Sequence, residues 1–160
     1  MAMTPTESAQ YTSAQSQDRV QGIYGGTPLQ FYYGKFTSTA AGQGTVNMFT
    51  LPAGRILLHL DLCRIYAEQG VSTADLDIGH GAYVNQDGTA VAANVDEWIA
   101  SADIGTAIQG VTFKGTGGVK TTVLVDELNS QEGIPVTMTV DTANWDADDY
   151  CEVLIYYSKG

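Results

Sequence analysis

Beyond residue 36 the chain alternates between apolar and polar positions, with turn residues closing each run. TVNMFTL leads into LPAG, where Pro52 presets φ for a tight corner and Gly54 closes it. RILLHLDLCRIYA follows, and its even positions Ile56, Leu58, Leu60 and Leu62 share one face. Arg55, His59 and Asp61 share the other face with Leu57 and Cys63. This period of two predicts one long strand rather than a helix. In ADLDIG, Leu76 and Ile78 alternate with Asp75 and Asp77, and in VKTTVLVD, Val119, Thr121, Val123 and Val125 alternate with Lys120, Thr122, Leu124 and Asp126. PVTMTVD sets Val136, Met138 and Val140 against Thr137, Thr139 and Asp141, and CEVLIYYS sets Val153, Ile155 and Tyr157 against Glu152, Leu154 and Tyr156. IQGVTF and AYVN, the latter with a turn at Asp87-Gly88, are shorter candidates. One stretch, NVDEWIASADI, has a helical look: Asn94 as N-cap, Asp96 and Glu97 in the first turn, and Trp98, Ile99 and Ala102 at helical spacing.

Gly-rich punctuation (AAGQG, EQG, GHG, GTGG, NSQEG) separates these runs. Short alternating strands at such intervals predict an all-β fold, an antiparallel β-sandwich of about eight strands. A jelly-roll-like order fits best, although an immunoglobulin-like order produces the same pattern.

The first residues differ in kind. From Met1 to Gly26 the large apolar side chains are Tyr11, Val20, Ile23 and Tyr24, apart from two Met, among Ser, Thr, Gln, Ala and Gly. Ordering a backbone residue costs about 1–2 kcal/mol, while burying one large apolar side chain returns about 1.5–3 kcal/mol. Such a stretch cannot fold alone, so order in it has to come from neighbouring chains. This divides the chain into an extended N-terminal arm, residues 1–33, and a sandwich domain, residues 34–160. The arm and its junction supply the expected partner contacts: Tyr11, Val20, Ile23, Tyr24, Leu29, Phe31 and Tyr32.

Charge narrows the field. Seven Lys and Arg against 18 Asp and Glu give a net charge of −11, the opposite of what a phosphate backbone requires, so no nucleic-acid partner is expected. The longest apolar cluster, ILLHLDL, is short and interrupted by His59 and Asp61, so no membrane span is expected. The opening residues lack a basic region followed by an apolar core, which predicts no export signal. Cys63 and Cys151 lie in apolar strand-like runs and read as two reduced core thiols, with a single bridge as the alternative.

Candidate chemistry is sparse. Asp75, Asp77 and His80 lie close together in DLDIGHG, with His59 and Asp61 able to approach, and such a group could bind a metal or move protons. The plainer reading is two solvent-facing carboxylates beside a turn. DTANWDADDYCE crowds Asp141, Asp146, Asp148 and Asp149 in the manner of an oxygen-rich Ca²⁺ loop, but EF-hand spacing and its bidentate Glu are missing. The plainer reading is an acidic turn with Trp145 over the sandwich edge. No G-x-S-x-G is present, and GTGG precedes a strand rather than a helix, so no phosphate loop is expected. Neither an enzyme, a cofactor nor a metal site is expected. Tyr156, Leu154, Leu57 and Leu124 fall on outward positions, and if their strands neighbour one another they form an apolar patch suited to a partner.

From Gly34 onward the chain resembles small structural proteins of tailed-bacteriophage virions, including those of the capsid decoration (cement) type. The resemblance is carried by GKFTS, by TVNMFTLPAGRILLHLDL with its Leu-Pro-Ala-Gly corner, by DLDIG and VDEWIASADIGTA, by GTGG, and by the closing ANWDADDYCEVLIYY. It implies a non-enzymatic protein on the virion, at the capsid surface, assembled in the host cytoplasm. Its implied partners are the major capsid protein and further copies of itself, often as trimers. A tail or head-fibre base component is the second expectation. A carbohydrate-binding sandwich, with Tyr32, Tyr33, Tyr156 and Trp145 stacking on sugars, is the third.

Overall fold

A computed structural model describes residues 28–39, 42–68, 74–103, 107–113, 119–120 and 123–160. Twelve strands form among them and no helix: β1 (Gln30–Thr37), β2 (Gly42–Leu51), β3 (Gly54–His59), β4 (Arg64–Ala67), β5 (Asp75–His80), β6 (Tyr83–Val84), β7 (Ala90–Val91), β8 (Asn94–Asp103), β9 (Ile108–Thr112), β10 (Val125–Ser130), β11 (Ile134–Trp145) and β12 (Tyr150–Lys159).

The pairing identifies the fold. One sheet joins β1 to β12, with β3 and β4 sharing the other edge of β12, β10 beside β3 and β9 beside β4. The second sheet runs β2-β11-β5-β8. β3 and β4 occupy one strand position broken by a turn, and β9 with β10 occupies another. Counted this way, the first strand pairs with the last, the second with the second-last, and so on inward, always antiparallel. That is a long antiparallel ribbon rolled into two sheets, the jelly roll. β6 and β7 form a small hairpin in the connection from β5 to β8, closed by the expected turn around Gly88.

The core lies between the sheets and repeats the alternation seen in the sequence. Ile56, Leu58, Ile65, Leu76, Ile78, Val136, Met138, Val153 and Ile155 all face inward with Trp98, Phe113 and Trp145. Full burial of each aliphatic side chain contributes about 1.5–3 kcal/mol. Trp98 stacks on Phe113 with ring centroids 5.8 Å apart. Cys63 and Cys151 are free thiols in this core, each pushed up to about 12 by burial.

Several elements differ from expectation for local reasons. Within NVDEWIASADI, Ile104 lies outside the described residues and Asn94–Asp103 forms strand β8, not a helix. Its register against β5 slips twice, so Trp98 and Ile99 are both buried although adjacent. Bulges of this kind break the period of two and mimic helical spacing. Asn94 bonds to the Glu97 carboxylate rather than capping a helix. RILLHLDLCRIYA is two strands, because residues 60–62 turn and the amides of Leu62 and Cys63 both donate to the His59 carbonyl. Leu60 stays buried, while Leu62 comes out into solvent. Strand β10 begins only at Val125, so Val119, Val123 and Leu124, read as strand, are exposed loop residues. β1 spans residues 30–37 and so crosses the boundary drawn at 33/34.

Two glycines are structural requirements. Gly54 takes φ 102 at the Leu-Pro-Ala-Gly corner, a conformation that favours glycine. A Cβ on Gly79 would stand 2.1 Å from the Asn94 carbonyl oxygen, so its absence lets β5 and β8 close.

Candidate partner-binding surface

Strand alternation in the β1–β12–β4 sheet sends every second side chain away from the core, and register aligns these side chains in rows. Phe31 pairs with Tyr156, Tyr33 with Leu154, and Lys35 with Glu152. On the other side of β12, Leu154 meets Arg64, and Glu152 meets Tyr66. Phe31 is 64% exposed, Tyr33 54% and Tyr66 40%, with Leu154 and Tyr156 half-buried between them. The Phe31 and Tyr156 rings lie 6.0 Å apart and tilted.

The polar groups hold this face in place rather than interrupt it. Lys35 pairs with Glu152 at 3.4 Å and lies 4.2 Å from the centre of the Tyr150 ring. Arg64 donates from Nη1 to the Gly110 carbonyl at 3.3 Å, tying β4 to β9. Partial desolvation and the Glu152 carboxylate, to which it hydrogen-bonds, push the Tyr33 phenol above its ordinary value. The result is an outer sheet surface with exposed rings beside the Lys35–Glu152 pair. Exposed aromatic side chains gathered on one face are suited to contact with a partner.

Of the expected contact residues, Leu29 and Phe31 are exposed. Tyr32 faces inward, stacking on Phe49 at 5.5 Å and on Tyr157 at 5.7 Å. Tyr11, Val20, Ile23 and Tyr24 lie outside the described residues. The outward patch holds Tyr156 and Leu154 as expected, but Leu57 is fully buried and Leu124 stands off the strands, its carbonyl accepting from the Leu60 amide. Tyr33 and Tyr66, which complete the patch, were legible only once β1 and β4 were known to flank β12.

The acidic candidates have structural employment. Asp77 is buried and accepts the Ser101 N–H at 2.6 Å, at a residue with φ 50. Burial raises its pKa, Asp141, Asp96 and Asp75 add to the rise, and the Ser101 amide opposes it. His80 ends β5 rather than sitting in a turn; it is buried against Tyr83 and Trp98, with Nδ1 2.9 Å from the Gly81 carbonyl. His59 bonds to the Ser158 hydroxyl at 3.1 Å. Asp149 folds back to accept the Asp146 amide, and Trp145 lies in the core instead of over an edge. Among the described residues, no group of three or more His, Cys, Asp or Glu could hold a metal ion. No helix of the described residues is long and apolar enough to cross a membrane. With Tyr32 and Trp145 inside, only Tyr33 and Tyr156 of the proposed sugar-stacking set face outward.

A separate polar cluster closes one end of the sandwich. Lys120 reaches both Glu97 and Asp126, the latter at 2.8 Å, and Trp98 Nε1 donates to Asp126 at 2.9 Å. Burial acts to raise the Glu97 pKa, but the hydrogen bond and charge of Lys120, with Asn94, outweigh it and the net direction is down. Burial acts to lower the Lys120 pKa, but Asp126 and Glu97 outweigh it and the net direction is up. The cluster clamps the segment before β10 onto β8.

No family model matches the chain, and no curated protein does. Among solved structures, the chain is similar to one in the cyanophage Pam1 capsid asymmetric unit, with 15% identity and a TM-score of 0.57 over 99% of this chain and 100% of that one. A chain in the acid-stable capsid structure of Helicobacter pylori bacteriophage KHP30 gives 14% identity and a TM-score of 0.42, over 81% and 86%. The first shares the fold along its whole length; at the second score the likeness adds nothing to that assignment.

Proposed function

We propose that the protein is a non-enzymatic structural component of a bacteriophage virion that binds and stabilises the capsid shell as a decoration protein. The observation that carries this reading is the full-length fold likeness to a chain of a phage capsid asymmetric unit. The docking face is the ring-lined outer surface of β1, β12 and β4, centred on Phe31, Tyr33 and Tyr156. Aromatic anchors of this type dominate binding energy in partner interfaces. The residues before β1 add an extended attachment, to the shell or to neighbouring copies. Many repeated copies make weak individual contacts strong collectively. The net charge of −11 keeps undocked copies apart in solution.

The face is tested by the double variant Phe31→Ser, Tyr33→Ser. Both side chains are exposed, so the melting temperature stays within a few degrees of the parent. Co-sedimentation with particles lacking the protein falls at least tenfold. Undiminished sedimentation by a folded double variant would show that another surface docks.

A further inference from the structure

The two sheets do not meet everywhere. Between edge strands β1 and β2, where β1 ends and β2 begins, a cavity of about 240 Å³ opens to the outside. Its floor is apolar: Phe36 from β1, Val46 from β2, and Met138, Val140 and Trp145 from β11. Trp145 is 1% exposed, and its indole Nε1–H is buried with no acceptor among the described residues. The volume lies below the roughly 300 Å³ where small-molecule pockets begin, but it accommodates one large side chain. Strand β2 forms the rim and is the edge of its sheet, so an extended segment can lie beside it as an added strand.

We infer that this cavity receives the Ile23-Tyr24 segment of a second copy of the chain, with the Tyr24 ring packed on its apolar floor. Ile23 and Tyr24 are the adjacent large apolar pair of the first 26 residues, and Gly22, Gly25 and Gly26 flank them. Glycines allow the close backbone approach that an added strand requires. Reach excludes the chain's own segment. Tyr24 lies four residues before Pro28 and extends about 14 Å from it at most. The cavity opens at the far end of β1, whose span from Gln30 to Thr37 is about 23 Å. This contact needs only two copies of the chain and no capsid, so it stands or falls separately from the docking face.

Cross-linking of the full chain tests it. One preparation carries Gly26→Cys, which leaves the Ile23-Tyr24 pair intact, and the other Thr39→Cys at the cavity rim. The native thiols, both buried and with pKa values of about 12, stay silent. The expected result on mild oxidation is a mixed disulfide dimer joining the two variants. Val46→Phe, which fills the cavity, placed in the Thr39→Cys chain should reduce its yield at least fivefold while circular dichroism shows an unchanged fold. Absence of the mixed dimer, or a yield indifferent to Val46→Phe, overturns the inference. So does a double variant, Gly26→Cys with Thr39→Cys, that closes within one chain at high dilution.

Discussion

At the scale of single residues, Asp77 shows how a carboxylate that looks functional can be structural. Its raised pKa means that the folded state holds the proton more tightly than the unfolded chain does. The stability this contributes is present below the ordinary value of 3.8 and is lost as pH rises through the folded value, so the charge is a burden at neutral pH. The Ser101 amide needs an acceptor there, not a charge. Asp77→Asn keeps the acceptor, and urea unfolding at pH 7 should find it as stable as the parent or more so. Asp77→Ala leaves the amide orphaned and should cost about 1–3 kcal/mol. Equal losses in both variants would mean that the charge itself matters. The sequence placed Asp77 on the solvent face because alternation alone assigned it there; the bulged β8 that folds over it lay outside that logic.

At the scale of elements, local alternation set most strands and missed where tertiary contacts interrupt them. The inward triplets Val136, Met138 and Val140 and Val153, Ile155 and Tyr157 follow the period of two, although Thr137 on the opposite face is buried as well. The break between β3 and β4 does not, since Leu60 stays buried through the turn and keeps the apolar rhythm intact. Val119, Lys120, Val123 and Leu124 show the converse: they belong to an alternating run and lie outside any strand. What holds their start is Lys120, gripped by Glu97 of β8 and Asp126 of β10. Glu97 has a depressed pKa, so its contribution is present above its ordinary 4.5 and is lost as pH falls below that through its lower folded value. Lys120 has a raised pKa, so its contribution is present below 10.5 and is lost as pH rises through its higher folded value. Lys120→Met should therefore destabilise by about 2 kcal/mol at pH 7, as the two partly buried carboxylates lose their cation. Urea unfolding across pH 3–7 should show this deficit shrinking as the medium becomes acid; a constant deficit would assign the loss to packing of the lysine stem.

At the scale of the whole molecule, the all-β class and the two-layer sandwich were legible because strand faces and turn residues are local signals. The nested antiparallel pairing was not, as it depends on contacts between the first and last strands, β1 with β12. The ring-lined face inherits that dependence. Phe31 and Tyr156 are far apart in sequence and become neighbours only through the roll, as do Tyr66 and Glu152. Of the acidic candidates, Asp77 and Asp149 accept backbone amides and Asp75 accepts the Thr142 hydroxyl of β11. The molecule is a jelly roll with an exposed ring-lined face, proposed as the docking face, an open edge between β1 and β2, and a strongly negative charge.

Counting copies on the particle tests the capsid reading most directly. If the protein coats a shell, it co-purifies with intact icosahedral particles at hundreds of copies each, quantified against the major capsid protein by mass spectrometry. Six or twelve copies per particle would move it to the tail or a fibre base, and absence from purified particles would contradict a virion role outright.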